Sequence, residues 1–138
     1  MIVLDTSVVS EPLRPQPDAA VLHWLDAQDP QTLYITTIHL AELLAGIALM
    51  PAGRKRTALK SAFDGQIMPL FDGRILQFDA KAAAVFAQIN AKVQSQGVPI
   101  SFADGAIAAI AQVNNFSVAT RNLRDFKSTG VVLLNPWG

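Results

Sequence analysis

The chain opens Met1-Ile2-Val3-Leu4-Asp5-Thr6-Ser7. Ile2, Val3 and Leu4 form an apolar run without alternation, which suits a short strand covered on both faces in the middle of a parallel sheet. The run stops at a carboxylate followed by two hydroxyls. Ligands of open α/β sheets bind outside the carboxyl ends of the strands, so Asp5 is expected at the mouth of that crevice. Later segments are expected to bring oxygen atoms to the same mouth through Glu42, Asp104 and the stretch Thr120–Asp125.

Working outward, further short strands are expected at Leu33–Thr36, Arg74–Phe78, Phe116–Thr120 and Val131–Leu134. Helical patterns fill the intervals. Pro17–Gln28 carries Ala20, Val21, Trp24 and Leu25 on one face, with Asp18 in its first turn. Ile38–Leu49 follows a Thr36 or Thr37 cap, with Leu40, Leu43, Leu44 and Ile47 suited to the core. Gly53–Gly65 opens on a basic run, Asp79 caps an alanine-rich helix to about Gln96, and Ser101 caps a helix from Phe102 to about Asn114. Gly97 stands where glycine favours the C′ position. Apolar strands alternating with helices imply an α/β protein, a parallel α/β/α sandwich.

At 138 residues the chain reads as a single domain over residues 1–138 with one core. Lys plus Arg and Asp plus Glu both number 11, so no overall basic charge advertises a nucleic-acid binder and any phosphate attraction must be local. The absence of cysteine excludes disulfides and thiolate metal sites. No basic segment followed by an apolar one marks a secretion signal, and no apolar run reaches the ~18 residues of a membrane span. A soluble cytoplasmic protein is the expectation.

Asp5, Glu42 and Asp104 supply charged oxygens for a hard divalent cation, Mg2+ or Mn2+, with Asn122 and Asp125 as candidates for a fourth contribution. Two carboxylates ~4 Å apart repel by about 4 kcal/mol at an effective dielectric near 20, so a cation enters or one carboxyl keeps its proton. Taken singly, each acid has a plainer reading. Asp5 fits a turn cap, Glu42 a solvated helix face, Asp104 a capping box with Ser101, and Asp125 a polar surface.

The opening Ile-Val-Leu-Asp-Thr-Ser, Ala41-Glu42-Leu43-Leu44-Ala45-Gly46, Phe102-Ala103-Asp104-Gly105-Ala106-Ile107-Ala108-Ala109, Thr120-Arg121-Asn122 and Asn135-Pro136-Trp137 occur in the order and spacing of a known family. Together they resemble the PIN-domain ribonucleases, and among these the VapC-type toxins of bacterial toxin–antitoxin pairs, near the FitB branch. The resemblance covers nearly the whole chain. It implies strand order 3-2-1-4-5 and a magnesium- or manganese-dependent endoribonuclease acting on RNA. It carries Asp5 and Asp104 over as the main metal ligands and Glu42 as a ligand directly or through water. Thr6 and Thr120 match hydroxyl positions near the site. The family often has Asp where this chain has Asn122, which can offer a carbonyl oxygen but no charge. A cognate antitoxin, with its C-terminal arm in a groove near the acids, and a homodimer are also implied. The mechanism expected is attack by a metal-activated water, oriented or deprotonated by Glu42 or Asp104, leaving a 5′-phosphate and a 3′-hydroxyl.

Two basic clusters could contact phosphate: Arg54, Lys55, Arg56 and Lys60, and the better placed Arg121, Arg124 and Lys127. The first also reads as a solvated helix face. His23 and His39 have no partner at metal-ligand spacing and read as surface or packing residues. Trp24 and Trp137 read as core or interface. Two rival functions stand beside the nuclease. An aspartyl-phosphate phosphohydrolase needs a second Asp where Ser7 stands. A catalytically silent PIN-fold module that binds protein or RNA is kept open by Asn122.

Overall fold

In a computed structural model describing residues 1–138, the run that opens the chain is the central strand of a five-stranded parallel sheet. Strand β1 (Ile2–Leu4) lies between β2 (Leu33–Thr36) and β4 (Ser117–Ala119), with β3 (Ile75–Leu76) and β5 (Leu133–Leu134) at the edges. The order is therefore β3-β2-β1-β4-β5, as the family resemblance implied. Every pairing is parallel, so all strands end at one edge of the sheet.

Eight helices surround it: α1 (Thr6–Ser10), α2 (Ala19–Asp26), α3 (Thr37–Ala48), α4 (Arg54–Ala62), α5 (Met68–Leu70), α6 (Ala80–Ser95), α7 (Phe102–Asn114) and α8 (Leu123–Phe126). Alternation along the strands divides the core. Leu4, Leu33, Ile35 and Ala119 point to one face, where they meet Val8 and Val9 of α1, Val21 of α2 and Ile47 of α3. Val3 and Val118 point to the other, where they meet Ile89 and Val93 of α6 and the buried stripe of α7. A sheet with a packed core on each face is the three-layer sandwich expected from the unalternating strands.

The edge strands are shorter than the apolar runs suggest. Each edge strand pairs on one side only, so β3 stops where Thr36 leaves β2 to enter α3, and β5 stops where Ala119 ends β4. The Asp18 expected inside the first turn of α2 is instead its N-cap, its carboxylate accepting from the Ala20 and Val21 N–H groups. The helix expected over Gly53–Gly65 stops being α-helical at Ala62 and widens into a π-type turn over Phe63–Ile67. Pro69 follows, lacking an N–H and crowding the carbonyl four residues back, so the wider turn carries the chain into it. Leu44 stands 39% exposed rather than in the core. No helix is long and apolar enough to cross a membrane.

Two glycines have work to do. Gly97 takes φ +70° after α6, the left-handed geometry expected at C′. At Gly105 a Cβ would stand 2.8 Å from the Phe86 ring, so the missing side chain lets α7 lie close against α6.

Candidate active site

Topology brings the acids to one edge. Asp5 is the first residue beyond β1, and its N–H donates to the Ala119 carbonyl at 2.9 Å. Since Leu4 pairs with Ala119, Asp5 and Thr120 emerge side by side. Glu42 lies in the second turn of α3, which begins directly after β2. Asp104 does not follow a strand. It is in the first turn of α7, which leads back to the start of β4, so its N-terminus lies at the strand-end edge.

Asp5 is 6% exposed and makes no capping bond to α1, which removes the turn-cap reading. Its Oδ2 accepts from Thr120 Oγ1 at 2.7 Å, and its Oδ1 lies 3.0 Å from His39 Nε2. Burial pushes its carboxyl up. Hydrogen bonds from the His39 ring, the Thr120 hydroxyl and the Thr6 backbone outweigh that and hold it below the ordinary carboxylate range.

His39 is the residue that sequence reading missed. It is fully buried, and its Nδ1 accepts from the Thr36 N–H at 3.1 Å while Thr36 Oγ1 accepts from the His39 N–H at 3.2 Å. This is a capping box with His in the place of the usual Glu or Gln. The Thr36-x-x-His39 spacing was the available signal.

Glu42 is exposed, and its Oε1 accepts from Thr6 Oγ1 at 3.2 Å. Asp104 receives its N–H cap from Ser101 Oγ at 3.1 Å, but the reciprocal half of the expected capping box is not formed. Burial raises the Asp104 carboxyl above its ordinary range. The Ser101 hydroxyl opposes this, and the negative charges of Asp5, Asp125 and Glu42 push it further up. The acids therefore share one electrostatic environment, Asp125 included. They are not drawn tight: no group of three or more His, Asp or Glu side chains is gathered closely enough to hold a metal ion outright.

The donor chemistry fits a hard divalent cation. The groups gathered around Asp5 and Asp104 are carboxylates and hydroxyls, and the imidazole of His39 is engaged by Thr36 and Asp5. Magnesium typically takes one or two carboxylates and keeps several waters, so three acids in direct contact are not required.

Among the remaining candidates, Thr120 Oγ1 both donates to Asp5 and accepts from the Asn122 N–H at 2.9 Å, tying the turn after β4 to the carboxylate. Asn122 precedes α8 with no side-chain capping bond, leaving its amide uncommitted. The Arg121 N–H donates to Ser7 Oγ at 3.3 Å, and its guanidinium lies over the Trp137 ring at 5.3 Å. Arg124 lines a concavity of about 460 Å3 with Lys92 and Lys127. The other basic cluster is partly spent locally, with Lys60 paired to Asp64 at 2.8 Å and Arg56 on the Met50 carbonyl at 3.4 Å. A separate cavity of about 420 Å3 runs from Thr6 and Glu42 over Leu13, Leu43, Ile47 and Phe63.

With this geometry in view, comparison with known proteins is direct. The family model for the PIN domain matches residues 2–132. VapC ribonuclease Y4jK of Sinorhizobium fredii is 45% identical, covering 99% of this chain and 98% of its own length. Toxin FitB of Neisseria gonorrhoeae is also 45% identical, covering 99% of each. The crystal structure of FitAcB from Neisseria gonorrhoeae superposes with a TM-score of 0.95 at 45% identity, over 99% of both chains. VapBC-5 of Mycobacterium tuberculosis, a member of the VapBC family of toxin–antitoxin systems, gives a TM-score of 0.69 at 27% identity over 96% of this chain and 94% of that one.

Proposed function

Because this chain belongs to the PIN-domain family, we propose that it is a toxin endoribonuclease, dependent on Mg2+ or Mn2+ and neutralised by a cognate antitoxin. The observation that carries the reading is the meeting of acids at one edge of the sheet: Asp5 emerges beside Thr120, Thr6 next to it donates to Glu42, and the first turn of α7 brings Asp104 to the same edge. Such a site is uncomfortable until positive charge enters it.

Asp5 and Asp104 would hold the ion, with Glu42 as a third ligand directly or through water. The bound ion would polarise a phosphoryl oxygen and lower the pKa of a water for in-line attack. Glu42, oriented by Thr6, or Asp104 places that water or takes its proton. Asn122 offers a carbonyl oxygen, and Asp125 supplies the charge that Asn122 lacks. Thr120 keeps Asp5 in place. Arg121, steadied on Trp137, and Arg124, with Lys92 and Lys127 beside it, would meet phosphates of the RNA strand.

The apolar cavity ending at Thr6 and Glu42 suits an antitoxin arm that lays apolar side chains along it and a basic one toward the acids. FitB is named a toxin, and VapBC-5 is described as part of a toxin–antitoxin system, which supports the same pairing here. A homodimer belongs to the same proposal.

The test is cleavage of a structured RNA by purified protein with Mg2+ or Mn2+, beside an Asp5→Asn control. Metal-dependent cleavage leaving 5′-phosphate and 3′-hydroxyl ends, lost in the control, is the expected result. Ends bearing 2′,3′-cyclic phosphate overturn the water step. No cleavage and no metal-induced rise in Tm would leave the silent binding module instead.

A further inference from the structure

His39 is a fully buried titratable side chain that no step of the proposed reaction uses. Its two ring nitrogens face partners of opposite kind. On one side stands Thr36, with its backbone N–H 3.1 Å and its Oγ1 2.9 Å from Nδ1. A backbone N–H can only donate, and the Thr36 hydroxyl, whose oxygen already accepts from the His39 N–H, has its own proton to give, so Nδ1 presents its lone pair and the ring proton is on Nε2. On the other side, at 3.0 Å from Nε2, stands Oδ1 of Asp5. We propose that His39 is a positioning residue for Asp5: the end of β2 sets the imidazole tautomer, and the imidazole aims and holds the carboxylate.

The geometry makes this a clamp across three adjacent strand ends. Thr36 closes β2, Asp5 follows β1, and Thr120 follows β4 and donates to Oδ2 at 2.7 Å. Each carboxylate oxygen has about two lone-pair sites, and one on each is spent on a fixed donor. The Thr6 backbone also reaches the carboxylate, and the sites that remain are left for the mouth. The choice of His at the third position of α3 then has a reason that capping alone does not supply. A Glu there could accept from the Thr36 N–H but would bring a second negative charge against Asp5. Imidazole accepts at one end and donates at the other through a rigid ring.

The consequence for metal binding rests on the nuclease reading, and the hydrogen-bond assignment does not. Two substitutions separate the ends of the ring. In His39→Asn the side-chain oxygen takes the place of Nδ1, keeping an acceptor for Thr36 and losing the bond to Asp5. In His39→Gln the amide nitrogen reaches the place of Nε2, keeping a donor to Asp5 and losing the acceptor. A positioning role predicts that His39→Asn weakens Mn2+ binding by about 10- to 100-fold, the usual effect of losing a group that orients a ligand. His39→Gln, though less stable, stays within a few-fold of wild type. Calorimetric titration with Mn2+ alone reads both.

Wild-type Mn2+ affinity in His39→Asn, or equal loss in both variants, overturns the assignment and leaves His39 a structural cap. Nitrogen-15 NMR of the wild-type ring, recorded with chelator, decides independently of any variant's folding. A protonated Nε2 and unprotonated Nδ1 are expected, and the opposite tautomer overturns the proposal. A wild-type protein that binds no Mn2+ removes the nuclease reading, and the tautomer still decides what His39 does for Asp5.

Discussion

Asp5 and Asp104 carry the same chemistry and opposite energetics. Asp5 is held by donors on both oxygens, so replacing it by Asn turns one accepting oxygen into an amide that faces a donor. Asp5→Asn is expected to lower unfolding free energy by about 1–3 kcal/mol in urea, the usual cost of leaving buried polar partners unmatched. Asp104 is held up first by burial and then by its neighbours' charges. From the ordinary value of 3.8 up to its raised value, the folded state keeps a proton that the unfolded state has lost. Its ionisation therefore costs stability as pH rises through that window, and the full cost is present above it. Asp104→Asn should raise Tm at pH 7 in chelator, and the gain should shrink as pH falls toward 4. Asp5, with its lowered carboxyl, behaves the other way: its contribution is present above 3.8 and is lost as pH falls through its lowered value. Thermal unfolding of wild type and both variants across pH separates the two signs.

Among the elements, α7 shows how packing sets the height of a functional side chain. Gly105 lies next to Asp104, and Phe86 fills the space where a Cβ would go. That ring cannot swing freely, since Phe78 and Phe102 stand 6.1 and 5.0 Å from it, centroid to centroid. Gly105→Ala gains up to about 1 kcal/mol of helix propensity but overpacks a contact that typically costs about 1–3 kcal/mol. A net loss of stability, and a weaker response of Tm to Mn2+ because Asp104 is displaced, are expected from denaturation with and without the ion. Helix α8 is the shorter case. Its four residues bring Asp125 toward Asp104 while Arg124 faces Lys92 and Lys127. Asp125→Asn should lower the raised carboxyl of Asp104 in part, since burial, Asp5 and Glu42 still hold it up, and should weaken Mn2+ affinity together with it, a pairing that NMR titration and calorimetry check.

For the whole molecule, a net charge of zero conceals a separation of charge. Acids gather at the strand ends, and a basic concavity lies across α8 from them. RNA binding should therefore weaken with salt despite the neutral total. Each phosphate contact on a single strand contributes about 0.7 to the slope of log K against log salt. Replacing Lys92, Arg124 and Lys127 together by Ala should flatten that slope by about 2, measured by fluorescence anisotropy in an Asp5→Asn background that does not cleave. An unchanged slope would place the RNA path elsewhere.

The sequence by itself determined the architecture and named candidates for the site. Unalternating apolar runs such as Ile2–Leu4 suit burial on both faces, and their alternation with helical patterns along the chain points to a parallel sheet between helical layers. Asp5, Glu42 and Asp104, with Asp125 as a further candidate, could be singled out because carboxylates near strand ends or helix starts need an explanation, though each alone also fits a plainer role. Only the tertiary structure decided which of them are held and which repel. That depends on the approach of groups distant along the chain: Thr120 onto Asp5, Thr6 onto Glu42, and above all His39. A lone histidine on a helix has no periodic signature. Its role arises from β1 and β2 lying side by side, which sets the Thr36 N–H and the Asp5 carboxylate on opposite sides of one ring.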